Sequence, residues 1–397
     1  MKITIPGKVS ETAAKIFKEN GFDAEQKAGV EIDEFNKMSK DSDAIVVRSY
    51  KLHELKFEDN LKAIGRAGAG VNNIPVDKCT EKGVVVFNAP GANANAVKEL
   101  VLCSLLLSSR KIVEGINWTN SQEADEKLNK LVEKNKSQFK GNEIRGKTLG
   151  VIGLGAVGML VANDAVALGM KVIGHDPYIS VDNAWKLSVG IKKADDMNKL
   201  LEKSDYISLH VPLVDRTNGF VDKKFLSKVK QGVRIMNYSR GEIINAEDIV
   251  EALKKGVVSR LFTDFPDEKF HGVENITLIP HLGASTKEAE ENCAVMIADQ
   301  LIDFLKNGNI SNSVNFPNCV LEKNGSARIT IINKNIPAMI EKITAALGAE
   351  KLNIEEMINK SRGDIAYNIV DVNGDVTEKA LEKIKQIEGV LRVRKLV

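Results

Sequence analysis

The chain has 397 residues, enough for two or three domains at roughly 150 residues each. Apolar residues make up 43% and charged ones 28%, and 30 Gly against 9 Pro follow no fixed repeat, which excludes disorder, collagen and coiled coil. Fifty-six basic against 54 acidic side chains leave a net charge of +2, so there is no electrostatic case for nucleic acid or an anionic membrane as the main partner.

The four cysteines, Cys79, Cys103, Cys293 and Cys319, are too scattered for a disulfide framework or a zinc ligand set. They read as buried thiols in a reducing cytosol, and no metal is expected. The opening MKITIPGKVSETAAKIF lacks the apolar core of a signal peptide. The longest apolar block, Leu100 to Leu107, falls far short of the ~20 residues needed to span a bilayer. A cytoplasmic protein is expected.

Residues 1 to about 95 alternate short apolar runs with helical patterns. MKITI, DAIVVRS, LKAIGRAG and GVVVFNA read as strands. Their continuous Val/Ile runs suit strands buried on both faces of a parallel sheet. Ser10 to Asn20 reads as a helix with Ser10 as N-cap and Gly21 as stop. NANAVKELVLCSLLLSSRKI follows as a buried helix, and the charged stretch Ser121 to Lys140 as a solvated helix and loop. At Lys147 the pattern restarts: TLGVIGLG, KVIGHD, DYISLHVP and VRIMNYS are strands with helices between them, among them Ala246 to Lys255. This is the rhythm of a doubly wound sheet. A further helix begins near Ala284. NSVNFPNCVLEKNGSA reads as a linker, and residues 327 to 397 give the order strand, helix, strand, strand, helix, strand of a ferredoxin-like module. That module holds no nucleophile–base pair or ligand cluster, so it reads as regulatory or assembling.

Gly153-Leu-Gly155-Ala-Val-Gly158 matches G-x-G-x-x-G. It follows a strand and opens a helix, and Asp176 ends the next strand 18 residues after Gly158. These contexts together form the dinucleotide fingerprint. Gly153 permits the tight turn, Gly155 lets the backbone approach a pyrophosphate at the helix N-terminus, and Gly158 allows close helix–strand packing. An acidic side chain at Asp176 accepts ribose hydroxyls and repels a 2′-phosphate, which favours NAD over NADP.

Alcohol oxidation also needs a base and a cation for the carboxylate or developing alkoxide. Among five histidines, His53 and His271 read as surface residues. His175 and His210 read as structural or adenosine-side residues, and His281 stands just past an apolar strand in ITLIPHLGAST. Arg240 follows another strand end, where a guanidinium can grip a carboxylate bidentately. Glu268 follows a third, and a carboxylate beside His281 would fix its tautomer and raise its pKa.

VVRS, IGRAGAGVNNI, VFNAPGANANAVKEL, RGKTLGVIGLGAVG, GHDP, LHVPL, NYSRGEIIN and IPHLGAST together resemble the D-isomer-specific 2-hydroxyacid dehydrogenase family, over residues from about 43 to 315. The resemblance implies a Rossmann domain (96–289) inserted in a discontinuous flavodoxin-like substrate domain (1–95 and 290–315). A linker (316–326) and an ACT-like domain (327–397) would follow. It implies Arg240 orienting the substrate, His281 as general acid/base and Glu268 as its partner. NAD would meet Ala156 and Val157 beside the glycines, His210, Pro212, Tyr238, Ser239, Asp264, Gly283 and Ala284.

Within the family, the resemblance of the tail to ACT domains and the match of Arg48 and Arg66 to phosphate-cradling positions, with the Ala69-Gly70-Val71 turn for the carboxylate, imply 3-phospho-D-glycerate as substrate. Oxidation to 3-phosphohydroxypyruvate would open serine biosynthesis. Hydroxypyruvate or glyoxylate reduction, and a NAD-sensing corepressor-like role, are the alternatives. Related ACT domains pair subunits and bind serine as effector, which implies a homodimer or homotetramer. The matching positions here are Asn333, Asn335 and Asn353. Asn333 stands where a histidine is usual and Ala338 where a glycine is.

Overall fold

The computed structural model describes residues 1–396. The chain divides into two compact units, Met1–Asn93 with the chain from Lys287 on, and Ala94–Thr286. The first begins with β1 (Lys2–Pro6), β2 (Asp23–Lys27), β3 (Ala44–Val47), β4 (Ala63–Arg66) and β5 (Val85–Asn88). These are parallel in the order β2-β1-β3-β4-β5, the flavodoxin-like winding. All four residues of β3 are buried, as a strand covered on both faces requires. Ser10 caps the helix Glu11–Glu19 by accepting from the Thr12 N–H, and Gly21 leaves it at φ +84°. β2 was not foreseen. Its sequence DAEQK is polar because it lies at the sheet edge, where alternate side chains face water.

The second unit holds β6 (Thr148–Ile152), β7 (Lys171–His175), β8 (Ile191–Lys193), β9 (Tyr206–Leu209), β10 (Val233–Asn237), β11 (Val258–Thr263) and β12 (Ile276–Leu278). All are parallel, in the order β12-β11-β10-β9-β6-β7-β8. The winding reverses between β6 and β9, and such a switch point opens a ligand crevice at the carboxyl ends of the strands. Helix Ala94–Ser109 covers this sheet with Val97, Val101 and Leu105. Helix Leu128–Asn135 buries nothing. No helix among the described residues is long and apolar enough to cross a membrane.

Helix Lys287–Asn307 returns the chain to the first unit. Gly65 lets it sit close, since a Cβ there would lie 2.5 Å from Ile297 Cγ2. The stretch read as a linker is packed at its start. Phe316 and Cys319 are buried, Asn315 Oδ1 accepts from the Val86 N–H at 2.8 Å, and its Nδ2 donates to the Val84 carbonyl at 3.0 Å. The backbone joins in, with a Phe87–Ser313 bridge and the Val314 N–H on the Val86 carbonyl, a pairing with β5 that polar composition alone does not reveal. Beyond it β13 (Ala327–Lys334), β14 (Asn353–Arg362), β15 (Ile365–Asn373) and β16 (Val390–Leu396) form an antiparallel sheet in the order β14-β15-β13-β16. Helices Met339–Ala349 and Glu378–Lys385 complete the expected βαββαβ order.

On one face of that sheet Ile329, Ile331, Val370 and Val372 meet Ile343, Leu347 and Ile384 of the two helices. On the other, Ile332, Tyr367 and Ile369 join the core of Phe87 and Phe304. The Tyr367 hydroxyl donates to the Gly308 carbonyl at 2.6 Å. Arg328, fully buried, makes a bidentate pair with Asp371 (2.6 and 2.7 Å) and donates to the Asn307 and Leu321 carbonyls. The module is thus sewn into the first unit.

Candidate active site

The carboxyl end of β6 runs into the glycine turn. Gly153 stands at φ +91°, and a Cβ there would meet the His210 carbonyl oxygen at 2.5 Å. At Gly158 a Cβ would lie 2.0 Å from the Gly153 oxygen. Gly155 has nothing within 4 Å of its Cβ direction. It opens the helix Ala156–Ala167 with no side-chain cap, so the first-turn N–H groups, including those of Ala156 and Val157, are left for an anion. Asp176 stands beside this turn, accepting from the Leu154 and Tyr178 N–H groups at 2.8 Å each. His210 bonds Ser208 Oγ through Nε2 at 2.8 Å, and burial pushes its imidazole down to about 4, so it is neutral at pH 7. His175 Nδ1 pairs with the Ala194 carbonyl. His53 and His271 are exposed.

Three neighbouring strand ends carry the remaining polar groups. After β10, Asn237 donates to the Arg240 carbonyl at 2.8 Å and Ser239 Oγ to the Leu209 carbonyl at 2.9 Å. This turn leaves the Arg240 guanidinium exposed. Tyr238 points the other way: it is buried with its hydroxyl on Ser104, so its side chain serves the core. After β11, Asp264 is only 2% exposed. Its Oδ2 accepts from the Gly283 N–H at 2.9 Å, and its Oδ1 is buried without a partner. Burial raises its pKa, opposed by the Gly283 N–H and the charges of His281 and Arg240.

After β12, His281 turns at φ +24°, a conformation that costs a non-glycine residue on the order of 1–3 kcal/mol. Its N–H is held by the Asp264 and Ile279 carbonyls. Its ring stands edge-on to Phe265, centroids 5.0 Å apart, on an open cavity of about 450 Å³ that Glu242 and Asp267 also line.

Glu268 is exposed at the head of the short turn Glu268–Phe270 and shares no hydrogen bond or ion pair with His281. Against the burial that raises the Asp264 pKa, the charge of His281 lowers it, and Glu242 and Asp267 line the cavity with the imidazole. Glu268 lies in the connection between β11 and β12, whose residues 266–269 are all exposed. Pro212 is exposed, and Ala284 half-buried.

In the first unit, Arg48 and Arg66 end the adjacent strands β3 and β4, and Arg66 Nε donates to the Arg48 carbonyl at 3.1 Å. Arg48 is ion-paired with Glu290, a partner some 240 positions away that no local pattern marks. The Ala69-Gly70-Val71 turn is half-buried, and Asn88 pins it through the Ala69 carbonyl at 2.6 Å. Of the three asparagines matched to an effector site, Asn335 and Asn353 are exposed. Asn333 lies in β13, is buried and accepts from Asn368 at 2.7 Å, so its amide is not presented to a ligand. Cys103 is exposed, whereas the other three cysteines are buried as expected.

A doubly wound sheet with this glycine turn and acidic strand end, set in one chain with a flavodoxin-like unit, is the architecture of the two-domain dehydrogenases. The chain belongs to the D-isomer specific 2-hydroxyacid dehydrogenase family. Residues 102–283 match the model of its NAD binding domain. A D-3-phosphoglycerate dehydrogenase of Haemophilus influenzae is 32% identical, over 93% of this chain and 90% of that protein. One from Methanocaldococcus jannaschii is 36% identical over 83% of this chain. The chain spans 62% of that relative's length and 60% of a similar one from Archaeoglobus fulgidus. The structure of NAD+-bound 3-phosphoglycerate dehydrogenase from Entamoeba histolytica superposes with a TM-score of 0.63 at 28% identity, covering 79% of this chain and 98% of that one.

Proposed function

We propose that the chain is an NAD-dependent dehydrogenase that oxidises 3-phospho-D-glycerate to 3-phosphohydroxypyruvate, the entry to serine biosynthesis. The observation that carries the substrate is that Arg48 and Arg66 stand at adjacent strand ends, Arg48 held by Glu290, so that a phosphate arriving there meets two guanidinium groups and competes with the Glu290 carboxylate. The residues fit the cofactor: Gly155 is open where a backbone must approach a pyrophosphate, and the Oδ1 of Asp264 is an acceptor awaiting a donor such as the nicotinamide carboxamide. NAD, when bound, supplies the hydride acceptor.

His281 takes the proton of the C2 hydroxyl, and Arg240 holds the carboxylate and the developing alkoxide. Glu268 remains the proposed partner of His281, a role that requires the exposed turn 268–270 to move inward. Residues 1–95 and 290–315 act as the substrate domain and 96–289 as the cofactor domain. Residues 327–397 act as an ACT-like module, reached through 316–326. A homodimer or homotetramer is supported by the apolar side chains Leu106, Ile112, Val113 and Ile116, all exposed on one segment. Serine binding is weakened in this reading, because Asn333 is committed to Asn368. Four free cysteines support a cytoplasmic location.

Initial rates of NADH formation with 3-phosphoglycerate and with glycerate, with and without millimolar serine, test the proposal. Strong preference for the phosphorylated acid is expected, with little serine inhibition. Turnover only in reverse with hydroxypyruvate or glyoxylate would overturn the substrate assignment. Binding of NAD without any turnover would overturn the enzyme.

A further inference from the structure

One exposed contact ties together the two loops that wall the dinucleotide crevice. Strand order puts β7 and β9 on either side of β6, roughly 10 Å apart at two strand spacings. The glycine turn emerges between them. The loop after β7 carries Asp176 and Tyr178, and the loop after β9 carries His210, Pro212 and Arg216. Arg216 Nη1 donates to the Tyr178 hydroxyl at 2.5 Å, and the guanidinium carbon lies 4.3 Å from the ring centroid.

Tyr178 is 69% exposed, so this is not core packing. Both ends are anchored. The Tyr178 N–H donates to Asp176 Oδ1 at 2.8 Å. Arg216 sits in a turn closed by Thr217, whose hydroxyl donates to the Pro212 carbonyl at 2.6 Å and accepts from the Val214 N–H at 2.8 Å.

We propose that Tyr178 and Arg216 form a clasp that closes over the adenosine half of the bound dinucleotide; this rests on the cofactor reading above. A ligand seated between the two loops lies beneath the pair. The pair parts to admit it and re-forms behind it, so the clasp slows release. The two residues are positioning groups, remote from the reacting atoms. Because the contact stands both with and without the ligand, it leaves affinity nearly unchanged and slows entry and release alike, by about two- to fivefold, the weight of one exposed cation–π pair.

Stopped-flow binding of ADP-ribose, which lacks the nicotinamide, and of nicotinamide mononucleotide tests this without turnover. Arg216→Ala and Tyr178→Ala should each quicken both entry and release of ADP-ribose about two- to fivefold and leave its Kd nearly unchanged. The double variant should gain no more than either single one, because both remove the same contact. Tyr178→Phe, which keeps the ring, should fall between. Mononucleotide rates should not change. Unaltered ADP-ribose rates in both single variants, or gains that add, would overturn the clasp. Failure of the unsubstituted protein to bind ADP-ribose would instead overturn the dinucleotide reading itself. Both positions are exposed, so thermal unfolding of the variants should match the unsubstituted protein and exclude misfolding.

Discussion

Asp264→Asn should move stability and cofactor affinity in opposite directions. Asp264 is 2% exposed and has one oxygen on the Gly283 N–H at 2.9 Å and the other without a partner. Burial raises its pKa, so the folded state disfavours the ionised form. The sign follows from linkage: this cost is present above the folded pKa and fades as the carboxyl takes up a proton. Asparagine keeps the carbonyl oxygen for Gly283 and removes the charge. The variant should gain about 1 kcal/mol near neutral pH, a rise of about 2–4 °C in Tm for a unit of this size, and the gain should shrink in acid.

Toward NAD the effect reverses. An amide NH2 now stands where Oδ1 offered a lone pair to the carboxamide, and two donors left facing each other cost about 1–3 kcal/mol, roughly 5- to 150-fold in Kd. ADP-ribose, without the carboxamide, should bind as before. Calorimetric titration of both ligands beside a thermal melt reads all three quantities. Equal weakening of NAD and ADP-ribose, or a Tm lowered by a core lesion, would refute the assignment of Oδ1.

Asp371→Ala strips Arg328 of both its carboxylate contacts and orphans the Asn324 N–H. Leaving a cation buried should cost about 3–5 kcal/mol, lowering the calorimetric Tm by on the order of 10 °C; a fall of under 2 °C would mean the guanidinium finds water. Ala338 stands at φ +65°, so Ala338→Gly should stabilise the protein by about 0.5–1 kcal/mol in urea titration, and destabilisation would show the methyl packs. Burial holds the His210 imidazole at about 4 rather than 6.5, so the unfolded chain binds a proton there that the folded one refuses. Its contribution is complete above about pH 6.5 and is lost as pH falls toward 4, on the order of 2 kcal/mol for a partly enclosed ring. His210→Asn should flatten the urea midpoint between pH 4.5 and 7, and an unchanged slope would assign the acid sensitivity elsewhere.

Local sequence determined the elements whose cause is local. Ser10 caps its helix because a hydroxyl can reach an N–H two residues on. Gly158 is required by the Gly153 carbonyl within the same turn, and Gly153 by its own positive φ and by the His210 carbonyl just past β9. Asp176 lands beside that turn because a βαβ unit of fixed length returns the chain there. Valine and isoleucine runs gave the parallel strands, since both their faces are covered. The polar edge strand β2 escaped notice because its pairing comes from β1, not from its own side chains.

Tertiary structure alone decided which of the carboxylates after β11 are exposed and which are buried. Glu268 and Asp264 are both acidic residues in the connection after β11, and the fold leaves one exposed and buries the other. It also placed Glu290 on Arg48 and Asn368 on Asn333, pairs brought together across strands and helices far apart in the chain. The packed stretch around Phe316 follows the same logic. A Pro- and Asn-rich segment is a tether in water, but here Asn315 completes the hydrogen bonding of β5 and Phe316 and Cys319 fill its core. Residue types set what each side chain is able to do; the fold, by fixing neighbours, decided which of those capacities is used.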